Sequence, residues 1–326
     1  MGFLDLAAQN LGSPMVLFFV LGVGAALAKS DLAVPDAVAR LLSLYLLMSI
    51  GFKGGAEVAH NGLTVQLLAV VGTGVALSFA LPFVAFAFLR LGTSLSPVDA
   101  ASVAGHYGSI SAVTFAAIVS TLAQMGIAFE GYFAAVAAAM ETPAIFSALA
   151  IAHRKSASAG SRMNTHLLRE VALNGSIVML LGSFVIGALT GARGLAMLKP
   201  FIVDPYAGFL CLFLLDMGLV AGRGLASGRK YLSPQLIGFG LLMPLASATL
   251  AALCTILLGL SVGGAAVLIT LAASASYIAV PAAMRLALPK ANPSIALTLS
   301  LGITFPFNLI VGIPIYIAMA TWLKQG

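Results

Sequence analysis

Apolar stretches of about 18 residues or more recur along the whole chain, separated by short polar segments. A helix of that length crosses the hydrocarbon core of a bilayer, because each residue advances a helix by about 1.5 Å. Of the 326 residues, 61% are hydrophobic and only 8% are charged. A soluble domain of this size carries more charge on its surface. The sequence therefore predicts an all-α polytopic membrane protein.

The apolar stretches predict ten membrane-spanning helices. The first stretch is interpreted as a retained helix rather than a cleaved signal peptide, because no Lys or Arg precedes it. Cys211 and Cys254 lie in different stretches, and their spacing favours free thiols over metal ligation. The predicted spans are 11–28, 36–52, 62–90, 97–125, 131–152, 171–190, 203–221, 235–259, 262–287 and 294–323.

The polar segment 153–170 divides the chain into two sets of five predicted helices, 1–152 and 171–326. The two sets share weak similarities at one common offset: "SIGFKGG" with "DMGLVAG", and "GHYGSISAVT" with "AASASYIAVP". Because five is odd, the second set begins on the opposite side of the membrane. We therefore expect a 5+5 inverted repeat, an arrangement common among secondary transporters. Chance similarity between helices rich in Gly and Ala is the alternative.

The basic residues are distributed unevenly between the two predicted sides. Eleven lie in the loops of one side and four in the loops of the other. The positive-inside rule places the richer side in the cytoplasm, with 153–170 inside and both termini outside. The net charge of +6 is thus explained by topology in a plasma (inner) membrane, and no nucleic-acid partner is expected.

Two stretches of small residues, 105–111 and 272–277, interrupt the fourth and ninth predicted helices. Interrupted helices in inverted-repeat transporters direct free backbone N–H groups at an anion near the bilayer midplane. Serine hydroxyls add donors, and neither stretch contains a basic residue. The alternative is that these residues only pack helices. The predicted substrate-binding residues are Gly108, Ser109, Ile110, Ser111, Thr114, Ala275, Ser276 and Tyr277.

Glu141 is a carboxylate inside a predicted helix, in "METPAI" just before Pro143. A proline inside a helix frees carbonyl oxygens, and an intramembrane carboxylate indicates function by default. Asn308 follows Pro306 in the equivalent part of the second half. We therefore predict that Glu141 binds a cation or carries a proton. His106 is a second candidate proton carrier or substrate contact, and packing is its alternative.

The sequence lacks the motifs expected of an enzyme. It has no nucleotide-binding glycine loop with lysine, no H-E-x-x-H spacing and no carboxylate pair. We therefore predict neither catalysis nor an organic cofactor.

Five segments along the chain match the pattern of a known family: "LLMSIGFKGG", "GHYGSISAVTFAA", "METPAIFSALAIA", "PAAMRLALPKANPS" and "LIVGIPIYIA". On these segments the chain resembles the SbtA-type sodium-dependent bicarbonate transporters over nearly its whole length. The resemblance implies a trimeric elevator, in which helices 3–5 and 8–10 form a core that slides against a gate of helices 1, 2, 6 and 7. It also implies bicarbonate at the crossing of the fourth and ninth helices, sodium beside it, and a possible cytoplasmic PII-like regulator.

Residue by residue, the resemblance extends to both interrupted helices. Gly108, Ser111 and Thr114 match the family's fourth helix, and Ser274 and Ser276 match its ninth. Glu141 stands where cyanobacterial members have Asp. Tyr277 also replaces an Asp, which removes one carboxylate from the sodium region. The predicted sodium ligands are Glu141, Ser274, Thr304 and Asn308.

These features predict a sodium symporter that imports bicarbonate or a similar small oxyanion. Two alternatives stay open. One is a proton-coupled carrier of another small anion, with Glu141 or His106 carrying the proton. The other is a membrane sensor or scaffold that keeps the fold without transport.

Overall fold

The computed structural model describes residues 8, 10–62, 64–155, 173, 175–228 and 232–325. These residues form helices and connecting segments, with no strand among them. Most of the predicted 153–170 linker lies outside the described residues. The helices are α1 Pro14–Leu27, α2 Asp36–Asn61, α3 Val65–Gly92, α4 Pro97–Gly108, α5 Ala112–Gln124, α6 Phe133–Glu141, α7 Pro143–Lys155, α8 Gly175–Ile202, α9 Tyr206–Gly228, α10 Pro234–Leu258, α11 Val262–Ala273, α12 Ala279–Ala287, α13 Pro293–Leu299, α14 Phe305–Phe307 and α15 Ile313–Gln325. Two π-helical segments, Ser300–Thr304 and Asn308–Gly312, flank α14.

Several helices begin at a serine followed by proline. The serine hydroxyl accepts a hydrogen bond from a backbone N–H in the first helical turn, and the proline supplies a φ already suited to the helix. This pattern explains why the predicted starts of the fourth and eighth spans are accurate to one residue. The Ser-Pro starts are Ser13-Pro14, Ser96-Pro97 and Ser233-Pro234.

Eight helical segments within the described residues are long and apolar enough to cross a membrane. This result confirms an all-helical polytopic membrane protein. Two further apolar helices, α1 and α11, are shorter than a full span. Both coincide with predicted spans, and α11 is short because the predicted 262–287 helix is interrupted after Ala273.

Three predicted spans end differently in the structure. Helix α9 continues to Gly228, seven residues beyond the predicted end of the seventh span. Helix α2 continues to Asn61, nine residues beyond the predicted end, because its "FKGG" segment stays helical. Helix α8 contains a break at Gly191, whose φ of 56° and ψ of −146° are not helical. Only glycine adopts such a conformation readily. The segment before the break ends where the sixth predicted span ends.

Helices α1 and α9 cross at glycines with almost no space between their backbones. A Cβ atom on Gly22 would lie 2.1 Å from the carbonyl oxygen of Leu215, and one on Gly218 would lie 2.2 Å from that of Phe19. Neither site admits any side chain. Small residues allow this close approach, which is how helices associate inside a bilayer.

Helices α2 and α8 cross in the same way. A Cβ atom on Gly55 would lie 1.9 Å from the carbonyl oxygen of Phe184, and one on Gly187 would lie 2.1 Å from that of Phe52. The "SIGFKGG" and "DMGLVAG" segments, noted for their similarity, therefore both supply the glycines of a close helix crossing.

The α4–α5 segment lies at the centre of the molecule. Over its most apolar 18 residues this segment is 94% buried by protein, whereas the most apolar 18 residues of α8 are only 22% buried. Surrounding α4 and α5 are α3, α7, α11 and the C-terminal helices. The interruption between α4 and α5 is therefore enclosed by protein.

Candidate functional site

The first helix interruption separates α4 from α5. Ser109 (φ −96°, ψ 149°) and Ser111 (φ −103°, ψ 114°) are extended, and α5 begins at Ala112. The Ser111 hydroxyl caps α5 by accepting a hydrogen bond from Thr114 N at 3.2 Å. The N–H groups of Ala112 and Val113 have no carbonyl partner within their own helix, because they belong to its first turn. This N-terminus therefore points donors toward the interruption.

The second interruption separates α11 from α12. Ser274 (φ −81°, ψ 164°) is extended, and the chain stays non-helical until α12 begins at Ala279. The Ser276 hydroxyl accepts a long hydrogen bond, 3.5 Å, from Val280 N in the first turn of α12. Both interruptions lie in the stretches where the sequence predicts them.

Hydrogen bonds join the two interruptions directly. Ser276 N donates to the carbonyl oxygen of His106 at 2.8 Å, and Ser111 N donates to Ser274 Oγ at 2.9 Å. His106 Nδ1 lies 2.7 Å from the carbonyl oxygen of Ser276. Because a carbonyl only accepts, Nδ1 carries the proton in this bond. His106 thus bonds to the backbone of Ser276 through both its carbonyl oxygen and its Nδ1. These bonds agree with the alternative that His106 has a packing role.

Tyr277 lies at the crossing with its hydroxyl group buried and without a hydrogen-bond partner. Its ring meets that of Phe305 edge-on, with centroids 5.5 Å apart. Ser111 is the polar side chain near this hydroxyl group, although the two do not have the geometry of a hydrogen bond. A buried hydroxyl without a partner is uncommon, since losing water costs about 1–3 kcal/mol. Tyr277 therefore offers a donor to a ligand at the crossing.

Glu141 is the last residue of α6, and Thr142 separates it from α7. The side chain is 5% exposed, and Oε2 has no hydrogen-bond partner. The Glu141 carbonyl oxygen accepts a hydrogen bond from Ser109 Oγ at 3.0 Å, which ties α6 to the first interruption. A buried carboxylate in apolar surroundings needs a cation or a proton to offset its desolvation.

The carbonyl groups near Pro143 already have protein partners. Met140 O accepts from Ser78 Oγ at 2.6 Å, just as Glu141 O accepts from Ser109. Each carbonyl keeps a second lone pair. These oxygens are therefore oriented by hydroxyl groups and retain the capacity to bind a cation.

The side chains of Thr304 and Asn308 are hydrogen-bonded to neighbouring helices. Thr304 Oγ1 donates to Gly240 O at 2.7 Å and lies 2.6 Å from Tyr107 OH, so Tyr107 is the donor in that pair. Asn308 Nδ2 donates to Ala273 O at 2.9 Å, and its Oδ1 accepts from Tyr316 at 2.7 Å. Asn308 thereby fixes the end of α11 beside Ser274. Both residues lie in the π-helical segments, a distortion frequent at functional sites.

Gly108 packs against other helices of the core. A Cβ atom there would lie 2.4 Å from Pro82 Cγ and 2.9 Å from Ala144 Cβ. The close packing of α3 and α7 therefore leaves no space for a side chain at position 108. The remaining predicted substrate residues, which are buried at or beside the crossing, are Ile110, Thr114 and Ala275.

Sequence reasoning missed several residues that build the site. Ser78 orients Met140 from α3, and Tyr107 connects the end of α4 to Thr304. Ser78 follows no motif and resembles any serine in an apolar helix, so no sequence signal identifies it. Within the part of the chain that the structure describes, no group of three or more His, Cys, Asp or Glu side chains could hold a metal ion.

The arrangement presents two sets of polar groups of opposite character. Backbone N–H groups and hydroxyl groups at the crossing suit an oxyanion, and Glu141 with its neighbouring oxygens suits a monovalent cation. A comparison with curated proteins found no match. A family model of Na+-dependent bicarbonate transporters matches residues 14–321, which agrees with the resemblance noted in the sequence. The chain therefore belongs to the Na+-dependent bicarbonate transporter superfamily.

Proposed function

We propose that this protein imports bicarbonate, or a similar small oxyanion, across a membrane by sodium symport. The observation that carries the proposal is the hydrogen-bonded crossing of two interrupted helices. Ser109 joins this crossing to the backbone carbonyl group of Glu141, whose buried side chain has no hydrogen-bond partner at Oε2. Membership of a transporter superfamily supports transport rather than catalysis.

The anion would bind between the two interruptions. The first turn of α5 would supply N–H groups, and Ser111, Ser276 and Tyr277 would add hydroxyl groups from the two interruptions. Neither interruption contains a lysine or arginine. Neutral donors bind an anion without the strong ion pair that would slow its release. A bicarbonate ion, which both donates and accepts hydrogen bonds, matches such a set.

The cation would bind at Glu141, with Ser274, Thr304 and Asn308 as the further proposed oxygen ligands. Moving a monovalent anion inward against a negative interior costs about 2.3 kcal/mol per 100 mV. One sodium ion cancels that cost. Because Tyr277 stands where cyanobacterial relatives have an Asp, Glu141 is the carboxylate left to neutralise the ion. The same replacement favours proton coupling as a second candidate.

The proposed architecture has ten spans in two inverted halves, 1–152 and 171–326, joined by 153–170. Under this repeat α1 corresponds to α8, and α2 corresponds to α9. The glycine crossings of α1 with α9 and of α2 with α8 then become equivalent contacts, which supports the repeat. These four helices would form the gate and the others the core of an elevator.

Two further parts of the proposal, assembly as a homotrimer and binding of a cytoplasmic PII-like regulator, rest on the SbtA resemblance alone. A third, a plasma-membrane orientation with both termini outside, rests on the distribution of basic residues between the two sides. Crosslinking and the labelling experiment described in the Discussion test the first and the last.

Uptake of labelled bicarbonate into proteoliposomes tests the function. Three conditions are compared: an inward sodium gradient, potassium with a proton gradient, and neither gradient. Uptake that requires sodium supports the proposal. Uptake that follows only the proton gradient establishes the second candidate, and no uptake under any condition supports a sensor or scaffold.

A further inference from the structure

A large cavity lies between the proposed gate and core helices, apart from the crossing itself. Its volume is about 570 Å³. One wall is formed by α2 and by α8 beyond the Gly191 break, and the other by α5 and the segment 129–134. At roughly 30 Å³ for each water molecule, this volume corresponds to about twenty waters. The cavity is therefore a vestibule rather than a site fitted to one small anion.

The cavity reaches close to the crossing. Phe115 and Val119, on successive turns of α5, line it. Ser111, the N-cap of that helix, lies one turn before Phe115, a rise of about 6 Å. A small ion at the bottom of the cavity would thus be one helical turn from the proposed anion site.

Lys53 lines the cavity with an ammonium group that forms no ion pair with a described residue. The residue is half-buried and lines the cavity, and its ammonium group lies 4.9 Å from the centre of the Tyr206 ring. No described carboxylate pairs with it. By contrast Lys199, which also lines the cavity, forms a 2.6 Å ion pair with Asp204.

Two other titratable side chains line the same cavity, and neither forms an ion pair with Lys53. Glu57 follows Lys53 by one turn, but its carboxylate packs against the backbone of Gly131 rather than against the ammonium group. His60 lies at the exposed end of α2. An ammonium ion in a cleft with apolar walls raises the local concentration of anions.

We propose that this cavity is the hydrated vestibule through which the oxyanion reaches the crossing, and that Lys53 attracts the anion into it. The inference rests on the proposed function for the identity of the ion. The Lys53 ammonium group is a strongly hydrated point charge that lies away from the crossing. It therefore attracts anions without binding them in a fixed geometry.

Cysteine labelling of the purified protein tests the vestibule without transport. In a background lacking Cys211 and Cys254, Ala192→Cys places a thiol in the cavity, and Val65→Cys, at an 84% exposed position outside it, is the control. The measured quantity is the ratio of modification rates by an anionic and a cationic methanethiosulfonate of similar size. We expect Lys53→Gln to lower this ratio roughly three- to tenfold at Ala192→Cys and to leave Val65→Cys unchanged, whereas Lys53→Arg preserves it.

An unchanged ratio in Lys53→Gln, or a thiol at position 192 that reacts with neither reagent, would overturn the inference. A salt titration with Lys53 intact covers the case in which Lys53→Gln does not fold. Raising the ionic strength from about 0.01 to 1 M shortens the screening length from about 30 to 3 Å, so the ratio at Ala192→Cys should fall toward that of Val65→Cys. A ratio insensitive to salt would also contradict a charged vestibule.

Transport kinetics link the vestibule to function. Lys53→Gln should raise the KM for bicarbonate roughly three- to tenfold with little change in maximal rate, because attraction precedes binding at the crossing. Lys199→Gln is the matched control, since Asp204 already neutralises that charge, and it should leave KM unchanged. If wild-type protein transports no bicarbonate, the proposed function fails while the labelling result still decides whether the vestibule attracts anions. If both lysine variants behave alike, the role of Lys53 is refuted.

Discussion

The substitution Glu141→Gln tests the coupling mechanism most directly. It removes one negative charge and keeps the size and shape of the side chain. Glu141 is 5% exposed, and its Oε2 has no protein partner. The charge is therefore available to a cation, and its loss should appear in the cation dependence of uptake rather than in folding.

The size of the effect follows from the electrostatic interaction of a cation with Glu141. Two unit charges 4 Å apart in surroundings of effective dielectric constant near 20 attract by about 4 kcal/mol. That energy corresponds to about a thousandfold in affinity. Because glutamine keeps an amide oxygen as a ligand, we expect the half-saturating sodium concentration to rise roughly 10- to 1,000-fold.

The assay is bicarbonate uptake into proteoliposomes as a function of sodium concentration. Glu130→Gln is the matched control, because Glu130 accepts hydrogen bonds from Ser261 away from the crossing. Tyr277→Phe, which removes only an unpartnered hydroxyl, should be less damaging than Glu141→Gln. Normal transport by Glu141→Gln under both sodium and proton gradients would refute the assignment of Glu141 as the coupling residue.

Four further changes test the site and the topology. Ser111→Leu should abolish uptake while the protein stays inserted and monodisperse in gel filtration, because leucine fills the anion's space; wild-type uptake would leave only a packing role. Ser274→Ala should lower stability by about 1–3 kcal/mol in thermal unfolding, since Ser111 N loses its buried acceptor, and an unchanged transition would show that the bond does not stabilise the crossing. Tyr277→Asp should increase the sodium dependence of uptake, although the cavity it leaves lowers stability; unaltered dependence would remove residue 277 from the cation site. A cysteine within 153–170 should be labelled only from the cytoplasm and one at the C-terminus only from outside, and labelling of both from one side would contradict the inverted repeat.

Local features of the fold were predictable because their causes are local. The apolar stretches predict membrane helices, since hydropathy alone decides which segments leave water. Ser-Pro dipeptides mark helix starts at Ser96 and Ser233. The stretch of small residues at 105–111 predicts the interruption before α5. The proline at 143, which predicts freed carbonyl oxygens, directly follows the end of α6 and Thr142.

The partners across the crossing could not be predicted in this way. His106 bonds to Ser276 and Ser109 bonds to Glu141, but nothing in either stretch specifies which serine meets which backbone group. Such pairings depend on how helices rotate about their axes. In an almost uniformly apolar chain, the hydropathy pattern carries little information about that rotation.

The sequence by itself thus determined that this chain crosses a membrane as helices, where two of those helices break, and which family it resembles. Tertiary structure alone decided that the two breaks bond to each other, that Glu141 is buried with one oxygen unpaired, and that Lys53 faces a cavity beside the crossing. The physical reason is the distance along the chain between the residues that interact. Helix formation and helix breaking depend on neighbours a few residues apart, whereas the Ser111–Ser274 bond joins groups 163 residues apart, brought together only when all the helices pack.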